Sequence, residues 1–141
     1  MILPDVNVLL YAVNSAAPQH QQAASALQDA WDAGPVALPW PVLLGFLRLS
    51  TRPGIFARPL QVEQALQVQQ QWLIHPRTVQ VQPSPQHAAI LGALLLAAGQ
   101  GGPLVSDAHL ATLAIEHGAV LLSYDRDFER FAGLRLKRLQ C

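Results

Sequence analysis

Short apolar runs alternate along this chain with longer stretches whose apolar residues recur at helical spacing, and that alternation restricts the fold to an α/β layered one. Residues 1–3, 36–38, 78–81, 119–122 and 134–136 read as strands. Between them, residues 6–13, 18–31, 42–49 (with Pro41 in the first turn), 62–73, 85–98 and 106–117 read as helices. A short helix is expected over 126–131. Gly34-Pro35, Thr51-Arg52-Pro53-Gly54, Gly99, Gly101-Gly102-Pro103 and Gly118 supply the breaks, and Ser106 is the expected cap of its helix. Strands joined through helices favour a short parallel sheet covered on both faces, a three-layer α/β/α sandwich. No repeat or compositional break divides residues 1–141, so a single domain is expected.

Composition agrees with a packed globule: 51% of residues are hydrophobic and 13% charged. The one cysteine, Cys141, cannot form an internal disulfide and reads as incidental. The start has no basic leader, and the most apolar stretch, 88–98, is too short to span a bilayer. It reads as a buried helix. A cytoplasmic protein with no membrane association is expected. The net charge of zero does not advertise nucleic-acid binding.

With only nine acids present, their placement is informative. Asp5 follows the first strand, while Asp125 and Asp127 follow the strand at 119–122. Ligands of open parallel sheets bind beyond the carboxyl ends of the strands. Asp107 starts a helix expected to end at that edge with Gly118, so the 101–106 loop is needed to bring its beginning into the site. Taken singly, Asp5, Asp107 and Asp125 read as helix caps or first-turn acids. Together they suggest a site, because carboxylates held close raise one another's pKa unless a cation intervenes. Arg126 is the only adjacent base, so a divalent ion of the Mg²⁺ or Mn²⁺ type is the natural partner. The five histidines lack zinc-ligand spacing, and His109, on another side of the helix from Asp107, reads as structural or surface.

At these residues the chain resembles the PIN-domain family, specifically VapC-like toxins. Pro4-Asp5-Val6-Asn7-Val8-Leu9-Leu10-Tyr11-Ala12 looks like the family's first acidic motif. Ser106-Asp107-Ala108-His109-Leu110-Ala111-Thr112-Leu113-Ala114 looks like its third-acid helix, and Ser123-Tyr124-Asp125-Arg126-Asp127-Phe128 like its closing segment. The resemblance implies a PIN-like fold, Mg²⁺ or Mn²⁺ dependence, endonucleolytic cleavage of RNA, a homodimer, and inhibition by a small antitoxin. It makes Asp5 and Asp107 direct metal ligands, and Asp125 a ligand directly or through water. Asp127 becomes a supporting acid, and Asn7 and Ser123 become hydrogen-bonding groups that orient carboxylates or water.

The family commonly carries a glutamate on the helix after the second strand, where this chain has Gly45. Glu116 lies nine residues beyond Asp107, on the opposite helix face, and should not join the same ion. One metal bound well and a second poorly is the expectation.

Eight of the nine basic residues are arginine, which suits phosphate recognition. Arg48 and Arg52 flank the Gly45 helix and are the candidates for RNA contact. Arg135, Lys137 and Arg138 read instead as a solvated edge strand or a contact for an acidic partner. Trp31, Trp40 and Trp72 read as core or dimer packing before base stacking. Two other readings compete. One is a non-catalytic PIN-like scaffold, motivated by Gly45. The other is a phosphoacceptor receiver domain, opposed by the position of the lone lysine, Lys137, at the far C-terminal edge.

Overall fold

The computed structural model describes residues 1–140, and Cys141 lies outside the described residues. Five parallel strands form one sheet in the order β3-β2-β1-β4-β5. They are β1 (Ile2–Pro4), β2 (Val36–Ala37), β3 (Thr78–Val79), β4 (Val120–Ser123) and β5 (Arg135–Arg138). The helices are α1 (Val6–Val13), α2 (His20–Ala33), α3 (Trp40–Ser50), α4 (Val62–Leu73), α5 (His87–Ala98) and α6 (Leu104–Glu116). A short 3₁₀ helix, Arg126–Arg130, joins β4 to β5.

The central strands show why helices must cover both faces. Leu3 of β1 and Leu121 of β4 are fully buried in the larger core with Phe46 of α3 and Leu113 of α6. Leu122, one residue on and so pointing to the opposite face, packs with Val8 of α1 and Ala23 of α2. This is the expected layered arrangement. Trp31 and Trp72 join the core, Trp31 donating to Thr78 Oγ1 at 3.0 Å, whereas Trp40 is exposed.

Three details differ from the sequence expectation. The helix carrying Asp107 begins at Leu104, with Pro103 at its cap, so Ser106 lies inside the first turn. Its direction also differs. Because α6 runs into the start of β4, it ends at the amino edge of the sheet and begins at the carboxyl edge. Glu116, its last residue, accepts from Ser84, and His117 bonds the Gln82 carbonyl, so residues 82–84 return the chain to that lower end before α5 climbs beside α6. The loop at 99–103 turns the chain over, with Gly99 and Gly102 at positive φ. No special excursion is needed to bring Asp107 to the site.

The third difference is α5. Of its twelve residues, HAAILGALLLAA, only Leu94 is buried, and Leu96 is 85% exposed. Its apolar character does not report burial within this chain, because α6 covers one side and, among the described residues, no further layer lies over the other. No helix among the described residues is long and apolar enough to cross a membrane.

Candidate metal centre

Each acid reaches the carboxyl edge through a local device. Asp5 follows β1 in an extended conformation and caps α1, its Oδ1 accepting from Val6 N at 2.7 Å. Its amide donates to the Leu122 carbonyl at 2.8 Å, tying it to β4. Asp125 caps the 3₁₀ helix, its Oδ1 accepting from Asp127 N at 2.8 Å. The capping roles expected of these acids are real, and the same caps aim them at one place.

Ser123 joins the two segments. Fully buried at the end of β4, its hydroxyl donates to Asp5 Oδ2 at 2.7 Å and accepts from Asp125 N at 3.0 Å. Asn7, in the first turn of α1, donates to the Ser123 hydroxyl at 3.3 Å and accepts from Tyr124 N at 3.3 Å. Residues more than a hundred positions apart are thereby fixed with respect to each other.

Asp107, Asp125 and Asp127 each bring a carboxylate oxygen within 4.8 Å of the others. Asp5 stands beside this trio through Ser123 rather than inside it, and its charge acts on Asp107. Among the acids, Asp5 acts on Asp107 more strongly than Asp125 or Asp127 does, so all four carboxylates share one electrostatic site. The trio fits a hard divalent cation, being built of oxygen donors without cysteine or histidine, half-buried at Asp107 and Asp125 and open at Asp127.

The electrostatics point the same way. Burial, then the charges of Asp5, Asp125 and Asp127, push the Asp107 carboxyl up to about 6, and Arg130 offsets only part of this. Burial also raises Asp5 above the ordinary carboxylate range, against the hydrogen bonds from Ser123 and Val6. Negative charge is thus in excess of what the protein neutralises, as a cation site requires.

Arg130, not Arg126, is the base that matters here. It lies 3.6 Å from Asp127 and its charge reaches Asp107. The three-residue period of a 3₁₀ helix was the available signal. Arg48 and Arg52 are exposed, with no ion pair among the described residues. Arg135 donates to the Gly118 carbonyl at 3.2 Å and Arg138 pairs with Glu129 at 3.1 Å, in keeping with a structural edge strand.

Glu116 serves elsewhere, as its helix face implied. Its side chain is 2% exposed and accepts from Ser84 N (3.1 Å), Ser84 Oγ (2.7 Å) and His87 (3.0 Å). Burial alone would push the Glu116 carboxyl up, but these bonds together hold it below its ordinary value. His87 in turn bonds His109 at 2.9 Å. Positions 109 and 116 share one face of α6. His109 is therefore structural, its pKa lowered by burial and then by His87.

Gly45 has a geometric cause. A Cβ built there would lie 2.7 Å from Val6 Cγ2, so any side chain at this position requires Val6 to shift. No fourth carboxylate can enter from Gly45 while Val6 holds its place beside Asp5.

Comparisons with known proteins place this geometry. The PIN domain profile matches residues 2–134. Ribonuclease VapC37 of Mycobacterium tuberculosis is 46% identical over 96% of this chain and 94% of its own length. Ribonuclease VapC33 of the same organism is 38% identical over 96% of this chain and 95% of its own. Among solved structures, VapBC2 from Rickettsia felis bound to a DNA fragment from their promoter superposes with a TM-score of 0.72 at 21% identity, over 98% of both chains. M. tuberculosis VapC20, a Sarcin-Ricin loop cleaving toxin, superposes at 0.64 and 18% identity, over 96% of this chain and 99% of that one.

Proposed function

The chain belongs to the PIN-domain family, and within it to the VapC ribonucleases; from that premise we propose a divalent-metal-dependent endoribonuclease that acts as the toxin of a toxin–antitoxin pair. The observation that carries this reading is the meeting of Asp107, Asp125 and Asp127 within 4.8 Å, with Asp5 bolted alongside by Ser123. In the proposal, Asp5, Asp107 and Asp125 hold the ion, directly or through water, with Asp127 as the supporting acid. Ser123 and Asn7 fix the direction of the carboxylates. When bound, Mg²⁺ or Mn²⁺ supplies a polarised phosphodiester and a water of lowered pKa. The rest falls to the chain: Ser123 denies Asp5 rotational freedom, and the Asp127 amide fixes the Asp125 carboxylate. Arg130 sets part of the charge the acids present. With Gly45 barring a further acid, one ion held by the protein is the proposed stoichiometry.

The same proposal covers one domain over residues 1–141, located in the cytoplasm with its RNA, an antitoxin protein as inhibitor, and a homodimer. The apolar and exposed α5 supports the dimer. The scaffold alternative rests on Gly45 alone, and the clustered carboxylates weigh against it. The deciding experiment is RNA cleavage by the purified chain. Cutting should require Mg²⁺ or Mn²⁺, stop with EDTA, and be lost in Asp5→Ala and Asp107→Ala variants that remain folded. Metal-independent cutting, or full activity in both variants, overturns the reading.

A further inference from the structure

A cavity of about 280 Å³ opens directly beside Asp5, lined by Asp5, Val6, Asn7, Leu10, Tyr11, Leu49 and Ile55. No cationic side chain lines it, so it is not a place for phosphate. Its walls are aliphatic apart from the Tyr11 ring and the polar side chains of Asp5 and Asn7. Asn7 spends one amide hydrogen on Ser123 and keeps a second. The Tyr11 ring is braced edge-to-face by Tyr124, centroids 5.1 Å apart at 86°, and its hydroxyl has no hydrogen-bond partner among the described residues. A flat, neutral ligand with a polar edge matches this lining.

We propose that this cavity is a nucleobase subsite: it receives one unpaired base of the RNA strand, next to the phosphodiester held at the carboxylates. The proposal rests on the ribonuclease reading, which puts that phosphate against Asp5. Because Asp5 belongs to both sites, a strand crossing the acids delivers a neighbouring base to Tyr11, Leu49 and Ile55. Bases docked on aromatic and apolar surfaces are the usual way proteins hold single-stranded RNA. Tyr11 and Ile55 are then specificity-determining residues, and the substrate is a single-stranded or looped segment.

The test uses the full chain with Mn²⁺ and a short single-stranded oligoribonucleotide, intact or carrying one abasic residue at successive positions around the cut. At one flanking position, loss of the base should lower kcat/KM by roughly tenfold or more. Ile55→Trp, which fills the cavity from an exposed position, should lower kcat/KM on the intact RNA, so that the ratio of intact to abasic cutting falls toward one. Tyr11→Leu should behave similarly. In parallel, the methyl resonances of Leu10, Leu49 and Ile55 should shift on adding the intact oligonucleotide and not the abasic one. RNA cutting with no base penalty and unmoved methyls overturns the subsite and leaves the ribonuclease reading intact. Methyl shifts without any metal-dependent cutting overturn the ribonuclease reading and keep a base-binding cavity. Methyls that respond only to an apolar peptide assign the cavity to a protein partner, against the proposal.

Discussion

Gly45 and Asp107 show how much can rest on single positions. A glycine inside a helix costs roughly 0.5–1 kcal/mol relative to alanine. Here it permits α3 to lie against Val6, one residue from Asp5. Gly45→Ala should therefore destabilise instead of stabilising, by about 1–3 kcal/mol in denaturant titration, because Val6 is β-branched and cannot swing aside freely. Activity should fall with it as Asp5 shifts. Asp107 carries the opposite sign. Its pKa of about 6 lies above the ordinary 3.8, so the metal-free folded state binds a proton more readily than the unfolded chain. The ionised form therefore lowers metal-free stability above pH 6, and this deficit vanishes as pH falls toward 4. Asp107→Asn should raise the metal-free Tm at pH 7.5 by on the order of a few degrees, with the gap closing by pH 4, while abolishing RNA cleavage. The acids at 5, 125 and 127 are legible in the sequence because they fall at or within a few residues of strand ends. Arg130 is not, since sequence adjacency draws attention to Arg126 while the 3₁₀ turn brings Arg130 round.

At the scale of elements, α5 and α6 separate what hydropathy can tell from what it cannot. The helical stretch 85–98 was recognisable from its composition, and the structure bears out its existence, but not its burial. A helix apolar on all sides is covered by something, and sequence does not say whether the cover is the same chain. The direction of α6 follows from topology alone. A helix that feeds a parallel strand has its own start at the strand's carboxyl edge, so Asp107 arrives there unaided. The two helices are clamped by Glu116, which satisfies Ser84 twice and His87 once. Replacing it by alanine strands partly buried donors and should cost about 1–2 kcal/mol in thermal or denaturant unfolding. Since Glu116 is held below its ordinary pKa of 4.5, its contribution is present above that value and fades as acid takes pH below it.

For the whole molecule, the neutral net charge conceals a division of labour among the bases. Arg77, Arg130, Arg135 and Arg138 bond carbonyls or acids within the fold, whereas Arg48, Arg52 and Arg58 stand exposed around the end of α3. RNA held by so few free cations should bind weakly and with a shallow salt dependence. The exposed Leu96 gives the assembly a direct check: Leu96→Lys should convert the proposed dimer to a monomer in light scattering without lowering the monomer's stability. The layered fold was readable throughout, because short apolar runs and helical periods alternate without ambiguity; the assembly was not, because a single chain does not encode its neighbour's position. The most direct measurement of the central claim is a Mn²⁺ titration of the native protein and Asp107→Asn, followed by electron paramagnetic resonance. One tight site in the native chain, weakened at least tenfold in the variant and weakening in the native chain as pH drops below about 6, is the expected result. Equal Mn²⁺ binding by both proteins would contradict it.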